Sequence, residues 1–116
     1  MGTKRTPAAK NAETLSVADR LALLSLLPEK GSLIHMRVVA DLRTHLTFVE
    51  KELKEWGIVQ LPDGSVRWDK QKAKNKKVEI GNVARDVIKE RLRDMDKNKQ
   101  LGPEHVPIWD RFIDKD

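Results

Sequence analysis

The first part of the chain places apolar residues at the spacing of an α-helix. Residues 17–27, "VADRLALLSLL", carry an apolar face that consists of Val17, Leu21, Leu24 and Leu27. Ser16 lies directly before this stretch and Asp19 three residues further on, which is the pattern of an N-cap with an acidic first turn. Because Pro28 cannot continue a helix, we predict a first helix between Ser16 and Pro28.

Two more helices are predicted before the first tryptophan. We predict a short β-bridge at residues 33–34 and a helix over residues 35–42. The next helix begins at Thr44 or at Thr47: Thr47 with Glu50 matches a capping box, whereas a start at Thr44 gives the longer helix. The residues that this third helix is predicted to bury are Leu46, Val49, Leu53 and Trp56.

A β-hairpin is predicted within "WGIVQLPDGSVRW", residues 56–68. Gly57 is suited to end the third helix in a left-handed conformation. A Pro-Asp-Gly turn follows, and the strand-forming side chains that flank it are Ile58, Val59, Val66 and Trp68. Residues 70–77 contain Ala73 as their one apolar side chain, so they are predicted to form an exposed linker.

A fourth amphipathic helix is predicted from residue 78. Its apolar stripe consists of Ile80, Val83, Ala84, Val87, Ile88, Leu92 and Met95. This stripe must be buried, either on the core of its own domain, which the spacing favours, or in a homodimer formed through residues 80–95. The closing "VPIWDRFI" leaves two alternatives for Trp109 and Phe112, which are packing back on the core or docking to a partner.

The order of these elements over residues 15–69 resembles the winged helix-turn-helix domain. The stretch "THLTFVEKELKEWGIVQL" is similar to the third helix of such domains with its usual end, here formed by Leu53, Gly57, Ile58 and Val59. The resemblance implies a fold that is mainly α with a small β-hairpin, followed by a C-terminal helical extension. The predicted organisation is a flexible basic arm (1–14), the winged helix-turn-helix (15–69), a lysine-rich linker (70–77) and a C-terminal helix with an aromatic tail (78–116).

The same resemblance implies that the protein binds double-stranded DNA. In winged-helix DNA binders the third helix enters the major groove and the wing contacts the backbone. The implied contacts are Thr44, Thr47 and Lys51 on the helix and Arg67 on the wing. This gives the leading hypothesis, a small intracellular DNA-binding protein that acts as a transcriptional regulator or accessory factor.

The charge distribution supports a polyanionic partner. The net charge is +5, and residues 58–77 hold six bases and two acids. The lysines predicted to contact phosphates are Lys70, Lys72, Lys74, Lys76 and Lys77, and the arm adds Lys4, Arg5 and Lys10. Neutralising several phosphates releases condensed counterions and gives salt-sensitive binding that does not depend on sequence. The alternative is that these lysines only keep a linker solvated.

The second hypothesis is a protein-interaction module that does not bind DNA. With the predicted apolar face turned inward, Phe48, Glu52 and Glu55 point outward on the third helix. Two carboxylates on a reading face repel phosphates, and an exposed Phe48 costs about 1.5–3 kcal/mol relative to burial. These three residues, together with Trp109 and Phe112, are the predicted contacts with a protein partner.

Composition limits the other functional classes. The chain has no cysteine, and its three histidines are scattered, so we expect no metal site and no cofactor. No nucleophile–base set or Gly-rich phosphate loop is recognisable, so we expect no enzymatic activity. The sequence lacks a run of about 20 apolar residues and an apolar signal region. We therefore expect a cytoplasmic protein without membrane association.

Overall fold

The computed structural model describes residues 12–114, which are mainly α-helical with two small antiparallel sheets. The helices are α1 (Val17–Leu26), α2 (Leu33–Leu46), α3 (Glu50–Glu55), α4 (Asn82–Lys97) and α5 (Val106–Trp109). The strands are β1 (Ala12–Leu15), β2 (Val59–Gln60), β3 (Val66–Arg67) and β4 (Lys76–Glu79). A 3-10 turn, Pro103–His105, precedes α5, and a π-helical turn, Asp110–Asp114, follows it.

The core lies where α1, α2 and α4 pack against one another and against the C-terminal turns. Its fully buried side chains are mostly aliphatic and include Leu15, Leu23, Leu26, Leu46, Ile80, Ile88, Leu92, Ile108 and Phe112. This composition explains how a chain with few aromatic residues closes a core, since branched aliphatic side chains fill the space between three helices. Among residues 12–114, no helix combines the length and the apolar character that a membrane span requires.

Three local predictions are confirmed. The hydroxyl of Ser16 accepts the backbone N–H of Asp19, and the Asp19 carboxylate accepts the N–H of Ser16, both at 3.1 Å. Gly57 adopts the left-handed conformation with φ +60° and ends the third helix. The hairpin forms between β2 and β3, although each of these strands is only two residues long.

The predicted boundaries of α2 are wrong at both ends. Residues 33–34 form the first turn of α2 rather than a β-bridge, and the helix continues past residue 42 to Leu46. The extension has a physical reason, because Leu46 continues the buried face made by Val39 and Leu42 at helical spacing. Thr44 therefore lies inside α2 and does not start a new helix.

The second sheet joins two segments that were predicted to be a flexible arm and a linker. β1 pairs with β4 in antiparallel register, with Leu15 opposite Lys76. The arm prediction is therefore wrong for residues 12–14, and the linker prediction is wrong for Lys76 and Lys77. The arm cations Lys4, Arg5 and Lys10 lie outside the described residues.

The apolar stripe of α4 packs on the protein's own core. Its buried members are Val87, Ile88, Leu92 and Met95. Val83 is exposed, contrary to prediction, because it lies in the first turn of α4, where an open cavity separates this helix from α2. The alternative for this stripe, a homodimer through residues 80–95, could use only its exposed members such as Val83, because the core covers the others.

The C-terminal segment folds back on the core. Phe112 is 1% exposed, and Trp109 is half-buried against the same cluster. Of the two alternatives for this segment, packing on the core is confirmed. The docking alternative is wrong for Phe112, since a buried ring offers no surface to a partner.

A buried carboxylate ties β1 to the C-terminal half of the chain. Glu13 lies 2.8 Å from a guanidinium nitrogen of Arg85 and 3.4 Å from one of Arg111. Arg111 also lies 3.5 Å from the carboxylate of Asp19, and Arg85 donates to the carbonyl of Ile80. Four parts of the chain, namely β1, α1, α4 and the C-terminal turn, therefore meet at one cluster of charges.

Candidate nucleic-acid interface

The junction between α2 and α3 differs from the predicted start of a DNA-reading helix. Thr44 lies inside α2, where its hydroxyl donates to the Ala40 carbonyl at 3.0 Å. Thr47 follows α2 and donates its hydroxyl to the Arg43 carbonyl at 2.7 Å. Both predicted helix starts are wrong, because α3 begins only at Glu50. The hydroxyl donors of the two threonines are already used by the backbone of α2.

Arg20 of α1 holds this junction in place from beneath. Its side chain is 0% exposed, and its Nε donates to the Leu46 carbonyl at 3.1 Å. One terminal nitrogen donates to the Thr47 carbonyl, and both terminal nitrogens donate to the carboxylate of Glu52 at 3.0 and 3.1 Å. The guanidinium thus satisfies two carbonyls at the end of α2 and one carboxylate in α3.

Glu52 and Phe48 are partners of Arg20 rather than outward-facing contacts. The ring of Phe48 is half-buried, with its centroid 4.0 Å from the guanidinium carbon. Burial raises the pKa of Glu52, but the hydrogen bonds from Arg20 and from the Val49 N–H, with the charge of nearby Lys76, outweigh it and lower this pKa. The predicted exposure of Phe48 and Glu52 is wrong, because α3 begins only at Glu50 and both side chains contact Arg20 of α1, Phe48 from the segment before α3 and Glu52 from its first turn.

The outer face of α3 carries balanced charge and exposed aliphatic groups. The Lys51 ammonium lies 4.0 Å from a carboxylate oxygen of Glu55, and the Lys54 ammonium lies 3.9 Å from one of Glu50. Glu55 is exposed, as predicted. Each lysine is therefore matched by a carboxylate one turn away. Two residues predicted to be buried, Val49 and Leu53, are instead 53% and 39% exposed. This face has no excess positive charge with which to approach phosphates.

The hairpin has a stable turn that fixes the position of β3. Gly64 has φ +90° and donates its N–H to the Leu61 carbonyl at 2.9 Å. The Asp63 carboxylate accepts the N–H and the hydroxyl of Ser65 at 3.0 and 2.6 Å, and these hydrogen bonds lower its pKa. The turn thus directs the chain into β3, which ends at the exposed Arg67.

A concentration of unmatched positive charge begins at the end of the hairpin. Its members are exposed and make no ion pair with another residue between 12 and 114. We call this group the lysine surface; it consists of Arg67, Lys70, Lys72, Lys74 and Lys77. The turn inside it is fixed by Asp69, whose carboxylate accepts the N–H groups of Gln71 and Lys72. The pairing of β4 with β1 holds its far end.

Lys76 differs from the other predicted lysines. It lies in β4, is half-buried, and its charge acts on the Glu52 carboxylate. Its ammonium group therefore belongs in part to the Arg20–Glu52 network. The predicted wing residue and the other predicted lysines are exposed on consecutive segments from β3 to β4, whereas Thr44 and Thr47 are bonded to the backbone of α2 and Lys51 pairs with Glu55.

Sequence reasoning did not identify Arg20 or Glu13 as important residues. A signal was present for Arg20, because it lies three residues from both Val17 and Leu23 and therefore occurs on the buried face of α1. A charge at such a position requires a buried partner. Glu13 carried a weaker signal, since a lone acid in a stretch that contains lysines is usually solvated.

No group of histidine or acidic side chains within residues 12–114 is arranged to hold a metal ion. Comparison with known proteins gives no match to a family model, a curated protein or a solved structure.

Proposed function

We propose that this protein binds double-stranded DNA through phosphate contacts from the lysine surface, and that α1–α3 with the β2–β3 hairpin form a winged helix-turn-helix domain. The order of three helices followed by a hairpin supports the domain assignment. The observation that carries the DNA-binding proposal is the lysine surface itself, five cations on adjoining segments with no carboxylate partners among the described residues.

The electrostatics favour a polyanion over a smaller acidic ligand. The cations are distributed along consecutive exposed segments, from the end of β3 through a fixed turn to β4, rather than all gathered in one pocket. A duplex offers many phosphates to cations distributed in this way, and each contact releases counterions from the DNA. Lysine ammonium groups on flexible side chains contact phosphates without reading bases.

The role of α3 in this proposal differs from that of a reading helix. It has six residues, its lysines are matched by glutamates, and Glu52 is held by Arg20. A helix with this surface gains little from entering the major groove, where base contacts need unmatched donors and acceptors. We therefore propose binding that depends on the DNA backbone and only weakly on base sequence.

Replacing Lys72, Lys74 and Lys77 together by glutamine should weaken duplex binding by about tenfold or more near 50 mM salt. The slope of log affinity against log salt concentration should fall by about one for each lysine that is removed. The measurement is the fluorescence anisotropy of a labelled random-sequence duplex of about 25 base pairs, titrated between roughly 50 and 200 mM salt.

The matched control replaces three exposed lysines elsewhere, Lys30, Lys97 and Lys99, by glutamine, which changes the net charge equally. Equal weakening in both variants would show that overall charge, and not the lysine surface, attracts DNA. Absence of binding by the unaltered protein at low salt would refute the proposed function.

A second candidate function is suggested by exposed aliphatic side chains beside the hairpin. Val49 caps the start of α3 and Leu53 lies one turn further on, and Val59 in β2, which follows α3, is 50% exposed. Apolar groups clustered in this way are typical of contacts with another protein. If they form such a contact, Leu53→Ser should abolish capture of a partner from cell extract while shifting the melting temperature by only a few degrees.

The matched control for this second candidate is Ile34→Ser, because Ile34 is 76% exposed on α2 and lies outside the aliphatic group. A partner that is captured equally well by both variants would not be using the α3–β2 face.

A further inference from the structure

A cleft opens between the start of α1 and the segment that follows β3. Its volume is about 420 Å³, and the residues that line it are Ser16, Val17, Ala18, Trp68, Lys70, Ala73, Lys74 and Asn75. It therefore adjoins the lysine surface and shares two of its cations. The sequence had separated these features, since Trp68 was assigned to the hairpin and the lysines to a linker without aromatic residues.

The lining combines one aromatic ring with positive charge. Trp68 is half-buried, whereas Lys70, Lys74 and Asn75 are exposed around it. Indole rings stack on nucleobases, and every base has a π-face that can take part. Lysine ammonium groups can reach the phosphates on either side of a stacked base, and an asparagine amide can hydrogen-bond a base edge.

The cleft has no negative charge of its own. None of its lining residues is acidic. The two nearest acids along the sequence are engaged elsewhere, because Asp19 caps α1 and the Asp69 carboxylate accepts backbone N–H groups of the following turn. No carboxylate in the lining therefore competes with an anionic strand for these cations.

We infer that this cleft binds a nucleotide of a single-stranded or frayed nucleic acid, with the base stacked on Trp68 and flanking phosphates on Lys70 and Lys74. The inference rests on the proposed function and deepens it by naming an unpaired strand as a ligand. A volume of about 420 Å³ lies in the range of pockets that enclose small ligands. A base inside a duplex is stacked on both sides and has no free face to offer.

The test compares Trp68→Leu with Trp68→Phe, which retains an aromatic face. The probes are a labelled oligo-dT of about 12 nucleotides, which spans a typical single-strand site, and the duplex described above. We expect Trp68→Leu to weaken oligo-dT binding about tenfold or more and to leave duplex binding within about twofold. Trp68→Phe should retain most of the affinity for oligo-dT.

A second measurement on the unaltered protein guards against loss of folding in the leucine variant. Stacking should quench tryptophan fluorescence when oligo-dT is added, whereas tripolyphosphate, which has no base, should not quench it. Quenching by tripolyphosphate, or none by oligo-dT, would overturn the inference.

The outcomes also separate this inference from the proposed function. Suppose that duplex binding is salt-sensitive but the affinity for oligo-dT is the same in Trp68→Leu as in the unaltered protein. This result would refute the nucleotide cleft and leave the proposed function standing. Binding of neither probe would refute both. Competition by polyglutamate that is lost in Trp68→Leu would assign the cleft to acidic peptides, and would also overturn the inference.

Discussion

Replacing Arg20 by methionine should lower the free energy of unfolding by about 3–5 kcal/mol. Arg20 is fully buried, and its guanidinium donates to Leu46, Thr47 and Glu52. Methionine fills much of the same volume but donates no hydrogen bond. The Glu52 side chain is 13% exposed, and its carboxylate then keeps its charge without the counterion that donates hydrogen bonds to it, with only the charge of Lys76 nearby. Two carbonyls at the end of α2 also lose their donors, and each unsatisfied buried group carries a desolvation cost.

Urea unfolding followed by circular dichroism measures this change. The matched control is Arg43→Met, because Arg43 is exposed in the last turn of α2; it should change stability by no more than about 0.5 kcal/mol. The double variant Arg20→Met with Glu52→Met should recover part of the loss, since it removes the stranded carboxylate. Equal stability of the Arg20 and Arg43 variants would show that the buried network contributes nothing to the fold.

Replacing Glu13 by alanine should cost about 2–3 kcal/mol, less than the change at Arg20 because its partners are partly exposed to solvent. Arg85 and Arg111 lose a shared carboxylate that is 10% exposed, and they then repel each other across the site that it occupied. The effect should be concentrated in the β1–β4 ladder, because Glu13 is the link between β1 and the rest of the charge cluster.

Two measurements test the Glu13 prediction together. Urea unfolding gives the global change, and amide hydrogen exchange reports whether the N–H groups of β1 and β4 open before the helices do. Glu79→Ala is the control, because Glu79 lies in the same ladder but is exposed. If both variants behave alike, the strand pairing alone, and not the buried carboxylate, holds the N-terminal segment.

The features that could be predicted from the sequence depend on contacts between neighbours along the chain. The Ser16–Asp19 cap, the left-handed Gly57 and the Pro-Asp-Gly turn each act over three or four residues. The third helix was misplaced because Thr44 and Thr47 both carry capping chemistry. The helical spacing of the apolar residues in α2, which extends that helix to Leu46, outweighed this capping signal.

The remaining features depend on contacts between residues that are distant in sequence. Arg20 and Glu52 are separated by 32 positions, and Arg111 and Glu13 by 98. Neither periodicity nor composition pairs such groups. The cleft could not be predicted for the same reason, because it places Trp68 and Lys74 beside the start of α1, which is distant from them in the sequence. The cations of the candidate interface could be predicted from the sequence, whereas the position of Lys70 and Lys74 beside the Trp68 ring could not.

The two charge clusters also differ in the time at which they can form during protein synthesis. All the partners of Arg20 lie between Leu46 and Glu52, so α1, α2 and α3 can assemble once that segment has left the ribosome. Glu13, although it is made earlier, waits for Arg85 and Arg111. The first strand likewise remains unpaired until β4 has been made, and the cleft beside the lysine surface is completed by residues that are made after α1.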